Sequence, residues 1–436
     1  AAVPSLLLLA VTNHLCQNVA AIPFLWVLPL ALYLLTFILC FDRPIWHDRR
    51  VSYWLLPGGL GLIHLGLLKV PATASLPILI PVFGAGFFLC CMFCHGELAR
   101  RKPDPRHLTA FYLMISLGGA LGALFAGFGA PTMFRGYFEL PLAASACGIV
   151  ALFLIYGKHW LTDIVWVSIG VGLVVAATVE IRAFVLTSRV MMRNFYGGVR
   201  TVDQERRELK PPGSVRMMVH GVTNHGAQIL DEGRRRAPTA YYGAGSGVEI
   251  ALRHVRRSTM RAGFVGLGAG TLAVYGRKGD VFRFYEINPQ VKFLADTEFT
   301  FLRDSDAAIE VVLGDARLSL EREAPNGYDL LVVDAFSGDS VPVHLLTREA
   351  FAVYFRHLKP DGVLALHVSN DYLDLAPVVR RLADESGKTS RYVVTEDDPS
   401  REIGTSMWML VAGSEDFFAR AGLPEEAGAP RTSLWT

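Results

Sequence analysis

The sequence predicts a multi-helix transmembrane domain followed by a doubly wound α/β domain, with a small β-rich part between them, and three observations predict it. Apolar residues make up 52% of the 436 residues, at a mean hydropathy of +0.34, and the excess lies in long runs before about residue 185. From residue 261 onward, apolar strand-like runs alternate with stretches of helical period, the pattern of a sheet covered by helices on both faces. The first of those strands runs into a glycine-rich turn, VGLGAGTLAVYG at 265–276.

Runs of about 18 apolar residues are long enough to cross a hydrocarbon core of about 30 Å as helices. Segments 21–41, 76–95, 108–129 and 138–156 meet that length. The glycine-rich 53–69, and 161–182 with Asp163 and Glu180 near its ends, meet it less well, and 3–18 is partial, giving six spans plus one. The polar cluster TNHLCQN, with Asn13, His14, Gln17 and Asn18, is either an internal site or a set of interhelical hydrogen bonds. The basic loops FDRPIWHDRR and ELARRKPDPRH place one side in the cytoplasm, whereas the flank carrying Arg189, Arg193 and Arg200 argues for the same side at the opposite end of the spans. The expectation is an integral membrane protein with its soluble part in the cytoplasm. No signal peptide is read at the start, and the numbering is expected to begin inside a longer protein.

A net charge of +2 with no basic tract excludes nucleic acid as a partner, and RRR at 234–236 reads as a solvated loop. All six cysteines fall in the apolar half, so no disulfide framework holds the soluble half. CCMFC, followed by His95, has no second ligand pair and reads as helix-packing thiols, and no metal is expected.

Between 190 and 250 the runs NFYGGVRTVD and SVRMMVHGVTNHGAQIL predict short strands. Beyond them strands are predicted at 262–267, 281–287, 308–313, 328–334, 362–369, 391–395 and 406–412. The expected domains are therefore 1–185, 190–250 and 251–436. Ligands of doubly wound sheets bind at the carboxyl ends of the strands, so the strand ends carry the information. The first supplies Gly266, Gly268 and Gly270, without the third glycine of the dinucleotide fingerprint at its usual spacing. Glycines there let a backbone approach a ligand with no Cβ in the way. The second supplies Glu286, able to accept both hydroxyls of a ribose, the third Asp315, placed to accept from an adenine amino group, and the fourth Asp334. A glycine turn and three acids in that order predict a nucleoside site. His220, His225, His344 and His367 have no metal-ligand spacing and default to structural hydrogen bonding, with His225 singled out because it neighbours Gln228.

On these residues the chain from about 190 to 415 resembles the class I S-adenosylmethionine-dependent fold, Rossmann-like with seven strands and a small N-terminal β-hairpin part. Within that fold it resembles the spermidine synthases, or polyamine aminopropyltransferases, most specifically in YDLLVVDAFSGDSVPVHLLTREAF, and the whole chain resembles bacterial membrane-fused members. The resemblance implies Glu286 on the ribose, Asp315 and Ala316 on the adenine, and Asp334 as the acid beside the attacking amine. It further implies Gln228 as a donor-binding residue, Tyr241 or Tyr242 as the catalytic tyrosine, and Asp339 and His225 toward the acceptor. The co-substrate it implies is S-adenosylmethionine or its decarboxylated form, with a small-molecule amine acceptor, a lipid membrane and a homodimer as partners.

An alkyl ammonium has a pKa of about 10, so the protein must take a proton from the amine before or as it attacks the carbon beside sulfur. Two positions depart from the family pattern. Ala269 stands where an aspartate pairs with the ammonium of the decarboxylated donor, and Ser337 replaces the second acid of Asp-x-x-Asp. These departures keep open an enzyme that uses intact S-adenosylmethionine, by methyl transfer or donor cleavage. The cluster at 13–18 keeps open a non-catalytic transporter or sensor that binds a nucleoside or polyamine.

Overall fold

The computed structural model describes residues 1–19, 25–43, 48–69, 76–157, 160–256, 258–335, 342–370 and 373–424. They form two compact units, Ala1–Gly198 and Val199–Thr436.

The first unit is helical: α1 (Ala2–His14), α2 (Val27–Asp42), α3 (Arg49–Lys69), α4 (Leu76–Arg100), α5 (Leu108–Leu124), α6 (Ala130–Met133), α7 (Glu139–Ile155) and α8 (Trp160–Leu186). By length and composition, four stretches suffice to cross a membrane: Val51–Leu68, Pro77–Arg100, Pro105–Met133 and Trp160–Leu186. The helices Ala2–Gln17, Val27–Asp42 and Glu139–Ile155 are shorter. The ranking from hydropathy is thus partly reversed, because length depends on where the backbone turns: α7 ends at Ile155, and Gly157 follows at φ +84°. α3 and α4 meet at small residues, since a Cβ on Gly86 would stand 2.8 Å from the Gly59 carbonyl oxygen.

Polar side chains inside this unit are paired across helices. His64 Nδ1 on α3 lies 2.9 Å from the Glu180 carboxylate on α8. The Thr36 hydroxyl on α2 lies 3.0 Å from His95 Nδ1 on α4. Neither pair was read from the sequence, because residues 116 and 59 positions apart share no local pattern. His14 packs against the Phe83 ring at 4.8 Å, and the side chain of Asn18 lies outside the described residues. Cys90, Cys91, Cys94 and Cys147 are buried, with the Cys94 and Cys147 sulfurs 3.8 Å apart.

After β1 (Val190–Asn194), strands β2 (Gly197–Arg206), β3 (Gly213–His220) and β4 (Thr223–Ile229) pair antiparallel in succession. The helix α9 (Gly247–Val255) follows, capped by Ser246, whose hydroxyl accepts from the Glu249 N–H as S-x-x-E predicts. Then come β5 (Arg261–Val265), β6 (Val281–Glu286), α10 (Pro289–Thr297), β7 (Ala308–Leu313), α11 (Ala316–Arg322) and β8 (Tyr328–Val333). The chain closes with α12 (Arg348–His357), β9 (Leu358–His367), α13 (Ala376–Glu385), β10 (Thr389–Thr395), β11 (Ser406–Ala412) and α14 (Glu415–Ala421). Strands β5 to β11 make one seven-stranded mixed sheet in the order β10-β11-β9-β8-β5-β6-β7. β9-β8-β5-β6-β7 run parallel and β11 enters antiparallel, giving the Rossmann-like architecture that the alternating pattern predicts.

Both faces of the sheet are buried, as a parallel sheet requires. Phe264, Phe282, Phe284, Leu330, Val332 and Leu410 face one helical layer, and the alternate residues Val265, Tyr285, Leu331, Val333, Leu364 and Val411 face the other. The loop at 234–236 is tied to acids: Arg235 to Asp304 at 2.9 Å and Arg236 to Asp306 at 2.7 Å.

Candidate active site

β5 is flanked by β8 on one side and β6 on the other, so the strand order reverses there, and because these strands are parallel the carboxyl ends of β7, β6, β5, β8 and β9 line one edge of the sheet. The glycine turn leaves β5 with Gly266 at φ +101°, Gly268 at +53° and Gly270 at +83°, conformations that L side chains rarely adopt. Protein fills the space where side chains would stand. A Cβ on Gly266 would lie 2.2 Å from the Asp334 carbonyl oxygen, and one on Gly268 would lie 2.4 Å from that of His225. These two glycines let the turn seat against the end of β8 and against β4.

Glu286 is buried at the end of β6, where one carboxylate oxygen accepts the Leu267 N–H at 3.1 Å and the other the Asn288 N–H at 2.8 Å. Burial raises its carboxyl above the ordinary range, against the opposing pull of the N–H groups of Asn288, Leu267 and Ile287. Its remaining lone pairs are the acceptors available to two neighbouring hydroxyls. Asp315 ends β7 and caps α11 through the Leu318 N–H at 2.8 Å, while its second oxygen lies 3.1 Å from His344 Nε2. Ala316, 8% exposed, is the first residue of α11.

At the end of β8, the Tyr242 hydroxyl donates to Asp334 Oδ2 at 2.5 Å, and His367 Nδ1 lies 2.8 Å from Oδ1. Only 5% of the Asp334 side chain is exposed, so both oxygens are held by named donors in a site with little water. The Tyr242 hydroxyl also faces that of Tyr241 at 3.3 Å, a longer contact than the one it makes to Asp334. Burial, reinforced by the charge of Asp334, pushes both phenols well above their ordinary range, so both stay protonated donors.

Gln228 lies on β4 in a hydrogen-bond network of its own. Its amide donates to the Arg235 carbonyl at 2.9 Å and the Thr300 hydroxyl at 2.7 Å, and accepts the Thr300 N–H at 3.1 Å, so both polar atoms serve the protein interior. His225 accepts the Ala269 N–H on its carbonyl at 3.0 Å, and its buried Nε2 has no hydrogen-bond partner among the described residues. Burial lowers the His225 imidazole to about 4, with His220 lowering it further and Asp334 acting the other way. Asp339 and Ser337 lie outside the described residues.

The sequence leaves His367 to structural hydrogen bonding, and the structure sets it against Asp334. Its signal was present: it ends β9, the next strand along the same edge, and reading that strand end as the other four were read would have placed it in the site.

No family model matches the chain. A polyamine aminopropyltransferase of Vibrio vulnificus (strain CMCP6) is 33% identical over 113 residues, which are 26% of this chain and 34% of that protein. The chain thus spans about a third of the length of the curated relative it matches. Among solved structures, a spermidine synthase from Thermotoga maritima is 15% identical, covering 54% of this chain and 75% of its own at a TM-score of 0.39. A probable spermidine synthase from Corynebacterium glutamicum is 16% identical, covering 51% and 79% at a TM-score of 0.38. Over the stretch it shares with the Vibrio protein, this chain is similar in sequence to a polyamine aminopropyltransferase.

Proposed function

We propose that the α/β domain is a transferase, anchored in a membrane by the helices of the first unit. It moves an aminopropyl-type group from decarboxylated S-adenosylmethionine to a small amine and releases methylthioadenosine. The observation that carries this reading is the Tyr242–Asp334 pair, a buried carboxylate oriented by a phenol at the strand end beside the glycine turn. Glu286 takes the ribose hydroxyls, and Asp315 with Ala316 takes the adenine. The amine nitrogen attacks the methylene next to sulfur, the C–N bond forms as the C–S bond breaks, and the electron pair leaves with sulfur to give a neutral thioether. Asp334 attracts the ammonium and removes its proton, so the step needs a positioned base and an aligned nucleophile.

Glu286 accepts ribose hydroxyls best when ionised, and its raised pKa means that it protonates sooner than an ordinary carboxylate as pH falls. Donor affinity is therefore expected to weaken on acidification starting above the usual carboxylate range. Glu286→Gln should bind methylthioadenosine about 10–100-fold more weakly, the worth of hydrogen bonds to a charged group, with that pH dependence gone. Titration calorimetry at several pH values checks both statements, and a pH-independent wild-type affinity would remove Glu286 from the ribose site.

A second reading, use of intact S-adenosylmethionine, has its own observation. Ala269 is buried, and β4 passes so close that a Cβ on Gly226 would meet the Ala269 Cβ at 2.7 Å. Ala269 carries no carboxylate to hold the ammonium of the decarboxylated donor. Incubation with each donor separately, followed by identification of the nucleoside product, decides between the two. Methylthioadenosine formed from the decarboxylated donor supports the proposal, and S-adenosylhomocysteine as the only product overturns it.

A further inference from the structure

Two of the apolar stretches end side by side in the helical unit. Pro105–Met133 and Trp160–Leu186 hold 29 and 27 residues. At 1.5 Å per residue each is about 40 Å long, the thickness of a bilayer with its headgroups. The connection from α6 to α7 follows the first of them, and its Phe138 ring lies 6.0 Å from the Phe184 ring near the end of α8. The two ends therefore share one boundary of the helical unit.

A hairpin is clasped to that connection by both of its arms. β1 begins four residues after Leu186. From it, Arg193 donates to the Gly136 carbonyl at 3.0 Å, pairs with the buried Glu139 carboxylate at 2.6 Å, and lies 4.1 Å over the Tyr137 ring. From the other arm, a Cβ on Gly198 would stand 3.1 Å from the same ring. The tip between them is a closed turn: Asn194 Oδ1 accepts the Tyr196 N–H at 2.9 Å, and Gly197 sits at φ +119°. What the turn holds out is aromatic. Phe195 is 95% exposed and Tyr196 40%, with their rings 5.4 Å apart.

Two residues separate Phe195 from Arg193, a reach of at most about 7 Å. A headgroup layer is about as deep, roughly 5–8 Å on each side of the hydrocarbon, so the tip stays within or beside it whichever way the strands run. In water two rings held off the protein gain nothing from their exposure, whereas at a bilayer boundary the same rings are stabilising.

We infer that the β1–β2 tip is an interfacial anchor whose partner is the headgroup–acyl boundary of a lipid bilayer. Phe195 enters the acyl side, and the Tyr196 ring lies at headgroup level with its hydroxyl toward water. Arg135 in the connection and Arg182 on α8 are exposed and bring cations to lipid phosphates, with their stems along the apolar surface.

The inference rests on reading the first unit as membrane-spanning, and the test separates the two. Full-length protein carrying Phe195→Cys is labelled with a nitroxide, with the unsubstituted protein as the blank for native thiols. It is placed in nanodiscs of phosphatidylethanolamine and phosphatidylglycerol. Electron paramagnetic resonance then compares collisions with oxygen, which concentrates in lipid, and with a water-soluble nickel chelate, calibrated by lipids labelled at the headgroup and along the acyl chain. The expected result is a severalfold loss of chelate collisions relative to a free nitroxide, with oxygen collisions retained and a depth between the headgroup and the upper acyl chain. Tyr196→Cys gives a second position at the same boundary, and neither exposed side chain is needed for folding. A label as open to the chelate as a free nitroxide overturns the inference, and so does one shielded from both reagents, as by a second copy of the chain. In either case a protein that stays in the bilayer leaves the membrane reading standing. Release of the unsubstituted protein from membranes by alkaline carbonate overturns both.

Discussion

Replacing Asp334 with Asn is expected to lower kcat by about 10²–10⁴, the usual worth of a positioned general base, while methylthioadenosine binds within a fewfold of wild type. The amide can still accept from Tyr242, whose hydroxyl faces Oδ2, so the site keeps its shape. Its NH₂ group then faces Nδ1 of His367, which can accept from it when the ring proton lies on Nε2 and is taken by the Ser369 hydroxyl oxygen. Loss of turnover with retained nucleoside affinity separates an enzyme from a protein that only binds. An Asp334→Asn variant with wild-type kcat would remove Asp334 from the chemistry.

The second large effect is on stability. Gly266→Ala places a Cβ 2.2 Å from the Asp334 carbonyl oxygen on a residue held at φ +101°. Backbone strain of about 1–3 kcal/mol and overpacking of about 1–3 kcal/mol add, because the atom in the way is main chain and cannot rotate aside. A loss of about 2–6 kcal/mol is expected on chemical denaturation of the α/β domain, with the end of β8 displaced and turnover reduced in what remains folded. Unaltered stability would show that the turn and β8 separate at little cost.

The strand ends were legible in the sequence because in a parallel sheet each buried apolar run stops where the chain meets the site, so FRFYE and YDLLVVD announce their terminal acids. The seven strands follow from the same runs. Partnerships across distance were not legible. Tyr242 reaches Asp334 over 92 positions, from the connection between β4 and α9, and nothing local in PTAYYG says which tyrosine turns inward. Gln228 matched its expected place in the sequence, yet its amide is consumed by Arg235 and Thr300, a competition visible only once the chain is folded. In the helical unit, composition located the apolar segments but not their lengths, which depend on turns such as the one at Gly157.

The central claim is that a sulfonium donor surrenders its three-carbon arm to an amine at Asp334. It is tested most directly with decarboxylated S-adenosylmethionine carrying isotope in that arm, incubated with a diamine and the full-length protein, with Asp334→Asn as control. The account predicts label on the amine nitrogen in amounts equal to the methylthioadenosine released, and neither product from the variant. Label recovered as a free fragment with no alkylated amine, or methylthioadenosine formed equally by Asp334→Asn, would contradict it.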